Sequence, residues 1–254
     1  MSFRYPFLVA ILFLPLITKA QWNTGGDIDA PLVHFGFQLG ANANTFTVIK
    51  QPKFQDYQIS SAGLGGDVSS GRLQVIQSQF TTGFHLGLVG NLRLNDNLDL
   101  RFTPDVNFCD RVLQYGYQSL STSNPSRYNN PVTKTISSTF VDFPLLIKFK
   151  SDRKGNMRAY IIGGLQYSHD IVPKKKTDDT GLDPVNKLVK IKSDLLSYKV
   201  GFGVDLYYEY FKMSPELSIT NSLFNSLDKT AINQFNGPLS RLYPTAIMLT
   251  LYFE

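Results

Sequence analysis

The chain has 254 residues, 43% of them hydrophobic and 18% charged, with a formal net charge of +5. That length fits one barrel-sized domain. The mild, scattered positive charge argues against a nucleic-acid partner, and the lone Cys109 excludes an intramolecular disulfide and any cysteine metal cluster.

Residues 1–20 read as a secretory signal peptide. Met1 to Tyr5 carries Arg4, Phe7 to Ile17 (FLVAILFLPLI) is apolar but for Pro15, and Thr18-Lys19-Ala20 sets small residues before Gln21. The apolar run is about half the roughly 20 residues that a transmembrane helix needs. Loss of this segment removes Arg4 and Lys19 and takes the net charge from +5 to +3. No cysteine stands at the new N-terminus to carry a lipid, and residues 21–30 read as a periplasmic N-terminal segment ahead of a domain over 31–254.

From there, alternation of apolar and polar residues dominates, and helical periodicity is weak. The first predicted strand is Val33 to Phe46, with Val33, Phe35, Phe37 and Leu39 on one face and His34, Gly36, Gln38, Gly40 and Asn42 on the other. The second, Gly83 to Leu94, sets Phe84, Leu86, Leu88 and Leu92 against His85, Gly87, Asn91 and Arg93. After the turn Asn95-Asp96-Asn97, the third sets Leu98, Leu100, Phe102, Val106 and Phe108 against Asp99, Arg101, Thr103, Asp105 and Asn107. Pro104 cannot donate to a ladder and predicts a bulge there.

The fourth strand, Ile136 to Lys150, has unclear parity around Phe143-Pro144-Leu145-Leu146. The polar turn Ser151 to Asn156 leads into the fifth, Met157 to Ile171. The sixth, Leu195 to Tyr210, sets Tyr198, Val200, Phe202, Val204 and Leu206 against Lys199, Gly201, Gly203, Asp205 and Glu209. The seventh is Met213 to Leu223, with Leu217 and Ile219 opposite Glu216, and the eighth is Tyr243 to Phe253.

Eight strands is the smallest usual count for a membrane barrel, and strands of this length can span a bilayer when tilted. The gaps after strands one, three, five and seven are long (47–82, 114–135, 172–194, 224–242), and the others are tight turns. That asymmetry predicts an all-β, eight-stranded antiparallel up-and-down transmembrane β-barrel in a bacterial outer membrane, with both termini periplasmic. A soluble β-sandwich or lipocalin-like barrel has the same alternation, with the apolar face inside instead.

The polar face supplies a candidate lumen network: His34, His85, Arg93, Asp99, Arg101, Asp105, Lys199, Asp205, Glu209 and Glu216. Charges of this kind are costly toward hydrocarbon but sustainable inside a barrel. The two histidines, on adjacent strands, invite a metal or acid–base reading, although metal sites need three or four placed ligands. The run Ser168-His169-Asp170 spells a triad only in letters, since neighbours on a strand face opposite ways. Gly63 to Gly66 has no following helix to make a phosphate loop, Cys109 reads as a packed side chain, and Lys174 to Lys176 reads as a solvated loop near anionic headgroups. No catalytic residue, cofactor site or metal site is assigned.

Several stretches resemble the PorT/SprT family. They are Pro31 to Gly40 (PLVHFGFQLG), Asn91 to Asn95 with Leu98 to Pro104, Ser138 to Arg153 (STFVDFPLLIKFKSDR) with Arg158 to Gly164, and Tyr198 to Glu216. Asp142 and Pro144 belong to a pattern shared with other outer-membrane barrels, whereas the turn Ser151-Asp152-Arg153 and the Glu209 to Glu216 stretch are more specific. The resemblance implies a non-enzymatic outer-membrane barrel required for type IX secretion and, in gliding bacteria, for motility. The implied partners are outer-membrane lipid, other secretion-system components, and the barrel-insertion machinery through the aromatic last strand, Tyr252-Phe253-Glu254. Competing readings are a surface barrel that binds a ligand through its loops, or a small lipid-modifying enzyme using His169 near the rim.

Overall fold

A computed structural model of the chain describes residues 31–59, 71–119, 132–171, 187–229 and 232–254. The signal peptide, the segment 21–30, Gly63 to Gly66 and Lys174 to Lys176 lie outside the described residues.

Alternating sequence becomes one antiparallel sheet. Its strands are β1 (Val33–Lys50), β2 (Gln58–Ile59), β3 (Gly71–Gln79), β4 (Thr81–Asn95), β5 (Leu98–Phe102), β6 (Asp105–Ser119), β7 (Val132–Lys150), β8 (Met157–Asp170), β9 (Asp194–Tyr207), β10 (Lys212–Ser222) and β11 (Leu239–Phe253). β3 and β4 are one stave interrupted at Phe80, β5 and β6 are another interrupted at Thr103-Pro104, and β2 is a two-residue appendage of β3. Among the described residues eight staves result, each antiparallel to the next. β1 pairs with β11 on one side (Phe37 opposite Phe253) and with β4 on the other (Gln38 opposite Gly87), so the sheet closes on itself and only the short β2–β3 flank at the long-connection rim is left as an edge. Among the described residues no helix is long and apolar enough to cross a membrane.

The direction of the two faces separates the membrane barrel from the soluble one. The apolar stripe points outward: Phe35 is 79% exposed, Leu88 64%, Phe202 60% and Ile161 59%. Buried on the other face are Arg101, Lys148, Lys199 and Asp205. In water that arrangement would expose an apolar band around the whole molecule, whereas in a bilayer it satisfies both faces.

β7 resolves the parity that was unclear. Asp142, Pro144, Leu146, Lys148 and Lys150 point inward, and Phe143, Leu145, Ile147 and Phe149 point to lipid. Alternation never breaks there; an apolar pair, Pro144 and Leu146, simply occupies lumen positions. The interruption predicted at Pro104 is present: with no ladder donor at that residue, its carbonyl accepts from the Leu88 amide at 2.9 Å.

The first long connection holds more structure than the sequence reading gave it. β1 runs on to Lys50, and β3 lies inside the stretch read as loop. A register shift between Leu73 and Val75 puts Leu73 and Ile76 on the same buried side, which destroys the period-two signal. These residues join Phe46, Leu113, Tyr115 and Phe235 in an apolar cap at the long-connection end of the barrel. The Tyr115 hydroxyl donates to the Phe235 carbonyl at 2.9 Å, tying the connection before β11 over the lumen.

Candidate functional site: a charge-compensated lumen

The short-turn half of the lumen is an ion-pair cage. Lys148 Nζ contacts both carboxylate oxygens of Asp205 at 2.7 and 2.8 Å, and the Ser214 hydroxyl donates to the same carboxylate at 2.6 Å. Arg101 bridges Glu216 at 3.4 Å and Glu254 at 2.8 Å, and Lys212 reaches Glu254 at 2.8 Å. Lys150 pairs with Asp99 at 2.6 Å. The hydroxyls of Tyr160 and Tyr252 each donate to Glu216 at 3.0 Å, and the Arg101 guanidinium lies over both rings.

A second polar layer sits between this cage and the apolar cap. The Gln38 amide donates to Asp105 at 3.1 Å, Asn42 to Asn107 at 2.8 Å, and Asn107 to Asp142 at 3.0 Å. Asp105 and Asp142 stand directly opposite each other across β6 and β7, and the fully buried Lys199 supplies positive charge to both. Arg111 lies between the rings of Phe46 and Phe140, each at 5.6 Å.

Among the described residues, six buried basic side chains (Arg101, Arg111, Lys148, Lys150, Lys199, Lys212) therefore face six buried acidic ones (Asp99, Asp105, Asp142, Asp205, Glu216, Glu254). The balance matters because an unmatched charge in such a site costs several kcal/mol (about 3–5 when one partner of a buried pair is removed). Some of the pairs also tie staves across the lumen: Lys148 on β7 reaches Asp205 on β9, and Arg101 on β5 reaches Glu216 on β10 and Glu254 after β11. Arg101, Lys148 and Lys199 have zero exposed surface, so among the described residues their side chains fill these layers of the lumen.

Comparison with known proteins gives the same architecture. The family described as outer membrane protein beta-barrel domain matches residues 20–228. The chain belongs to that family. Among solved structures this outer-membrane barrel is similar to Neisserial surface protein A (9% identity, TM-score 0.40, covering 87% of this chain and 97% of that one). It is also similar to the outer membrane protein OprG from Pseudomonas aeruginosa (11%, 0.39, 87% and 90%). A third similarity is to the outer membrane protein AlkL (13%, 0.34, 100% and 97%). No curated protein matches the chain.

Of the residues expected in the lumen of this barrel, His85, Asp99, Arg101, Asp105, Lys199, Asp205 and Glu216 are buried inside it. Three are not. Glu209 is exposed in the turn between β9 and β10, because β9 ends at Tyr207, earlier than its alternation suggests. Arg93 keeps inward parity but sits at the short-turn rim, where it pairs with Asp96. His34 is half-exposed at the start of β1. The two histidines are not neighbours either. His34 stands opposite Asn91 and His85 opposite Gly40, six residues apart along β4, or about 20 Å at strand rise. His85 instead meets Thr250 at 3.0 Å, its ring filling the space that Gly40 leaves.

The sequence reading missed half of the cage. Lys148 and Lys150 share the parity of Asp142, but the apolar residues between them hid it. Lys212 falls in the tight turn between the sixth and seventh predicted strands, Glu254 closes the last-strand motif Tyr252-Phe253-Glu254, and Arg111 was not singled out. Of the family-signature residues, Asp142 is in the lumen and the Pro144 carbonyl accepts from Thr103 at the β5–β6 break. Arg153 lies 4.0 Å over the Tyr207 ring, holding the turn Ser151-Asp152-Arg153 against the β9 end. That turn closes at Gly155, whose φ of +62° suits glycine.

Ser168 and His169 face opposite sides, as strand geometry requires, with Ser168 buried and His169 outside. Outside, His169 Nδ1 is 2.8 Å from Asp194, which also accepts from the Tyr167 hydroxyl at 2.6 Å. Cys109 packs in the interior against Phe140 and Leu195.

Proposed function

We propose that this barrel is a non-enzymatic component needed for protein export by the type IX secretion system, and for gliding where that occurs. It acts in assembling or stabilising the translocon and does not itself conduct cargo. The observation that carries the reading is the closed lumen. Arg101, Lys148 and Lys199 are wholly buried, and Phe235 and its neighbours cap the other end. A barrel so filled has only its wall, turns and loops to offer a partner. The resemblance to the PorT/SprT family along 31–40, 91–95 with 98–104, 138–153 with 158–164, and 198–216 supplies the secretion system. In this reading the termini and short turns face the periplasm, the cap faces outward, and the last strand, ending Tyr252-Phe253, engages the insertion machinery.

The test is a strain lacking this gene, in which the location of a cargo bearing a C-terminal secretion domain is measured beside a control for envelope leakage. Unprocessed cargo in the periplasm of an intact envelope is the expected result. Normal surface delivery of cargo would remove the secretion role and leave the barrel.

A further inference from the structure

Between the ion-pair cage and the apolar cap, the lumen keeps a cavity with about 30 Å³ open to the centres of water-sized molecules. Its polar lining converges from five staves: Asn107 and Arg111 on β6, Asp142 on β7, Ser168 on β8, Ser197 on β9 and Thr220 on β10. All six residues are buried, Arg111 at 4% exposure and Asp142 at 1%. In the cage, Arg101, Lys148, Lys150 and Lys212 each touch a carboxylate directly. Arg111 does not. The Phe46 and Phe140 rings flank it, and its Nε and Nη1, with three N–H donors between them, reach no acceptor among the described residues. On Asp142, Oδ2 accepts from Asn107 at 3.0 Å, while Oδ1 has no hydrogen-bond partner. A buried guanidinium and a buried carboxylate thus line one cavity, each with polar groups left over, and leaving such groups bare in a low dielectric is costly.

We propose that this cavity is a binding site for about two ordered water molecules, which join the Arg111 guanidinium to the Asp142 carboxylate. The volume sets the number, since one water takes roughly 10–15 Å³ by the same measure. The chemistry sets the identity. The occupant must accept from Arg111 and donate to Asp142, and water does both. A halide would serve the guanidinium but face the carboxylate, a metal cation would do the reverse, and an organic solute exceeds the space. The hydroxyls of Ser197 and Thr220, which also line the cavity, supply the further contacts that a buried water makes, about three in all. Arg111 and Asp142 are then a water-mediated pair, set between the directly paired cage and the apolar cap. The site opens no passage, because Arg101 and Lys148 fill the lumen in the cage. The proposal is independent of the secretion role.

The test uses the full folded barrel and two independent readings. One is a crystal structure at a resolution that shows ordered water. The other is NMR transfer of magnetisation from water to the Arg111 Nε–H in detergent micelles. Water within hydrogen-bond distance of both Arg111 and Asp142 is expected in the first. In the second, a transfer peak is expected whose sign is opposite in laboratory-frame and rotating-frame Overhauser spectra, which marks bound water and not proton exchange. Loss of the peak in Arg111→Lys assigns it. Ser197→Val puts methyl groups beside the waters and should reduce the peak severalfold, with heat-modifiable gel mobility verifying that the variant remains a folded barrel. If that variant does not fold, the wild-type measurements alone decide. Direct contact of Arg111 with Asp142, or a wild-type Nε–H with no dipolar peak from water, overturns the proposal. So does an unchanged peak in folded Ser197→Val. An anomalous signal in the cavity of bromide-soaked crystals also overturns it, since the occupant would then be an anion.

Discussion

Lys148→Met is the sharpest perturbation of the cage. In the wild type, Lys148 has no exposed side-chain surface, touches both oxygens of Asp205 and lies 3.9 Å over the Tyr160 ring. Methionine keeps much of the stem but removes the cation in direct contact with Asp205, leaving the Ser214 hydroxyl donating at 2.6 Å and Lys212 and Arg101 as the other positive charges acting on it. Loss of one partner from a buried pair costs about 3–5 kcal/mol, because the other charge is stranded in a low dielectric. With a urea slope of about 2 kcal/mol per molar, the unfolding midpoint should fall by roughly 1.5–2.5 M. Adding Asp205→Asn removes the stranded charge while leaving an acceptor for Ser214. The double variant should therefore recover more than half of the loss, since replacing a whole buried pair is often near neutral. Urea titration of the barrel in vesicles, read by gel mobility without heating, gives both midpoints. A single variant within about 1 kcal/mol of wild type, or a double variant worse than the single, would refute the claim that charge compensation rather than packing dominates at this site.

Other perturbations follow the same logic. Arg101→Leu leaves both Glu216 and Glu254 short of a partner, and should cost at least as much as Lys148→Met, about 3–5 kcal/mol by the same urea titration. Gly87→Val drives a Cβ into the Pro104 carbonyl and against Asp105; overpacking of this kind costs about 1–3 kcal/mol and should slow refolding into vesicles. Phe235→Ala empties the centre of the cap, where the ring packs edge-on to Tyr115 at 5.3 Å, and should cost about 3–5 kcal/mol with faster proteolysis of the connection before β11.

How far the sequence leads depends on what breaks a period of two. β1, β9 and β11 alternate cleanly, and their inward residues were legible from Gln38, Lys199 and Asp205 onward. β7 alternates as strictly, yet Pro144 and Leu146 at lumen positions masked Lys148 and Lys150. β3 was invisible for a different reason: one extra residue near Val75 inverts the faces within nine residues. Pairings were less legible still. Arg101 meets Glu216 and Glu254 across more than a hundred residues, and only closure of the sheet and its stagger bring them together. Which of Arg93, Glu209 and His34 lies at a rim rather than in the lumen depends on strand ends, and alternation does not mark those.

The closed lumen is the claim on which the account turns, and conductance across a planar lipid bilayer tests it most directly. The purified full chain, verified as folded and inserted, should produce no stepwise ion current, because three wholly buried cationic side chains and the Phe235 cap close the passage. Reproducible single-channel steps from the wild-type barrel would contradict the account and return conduction to the candidate roles.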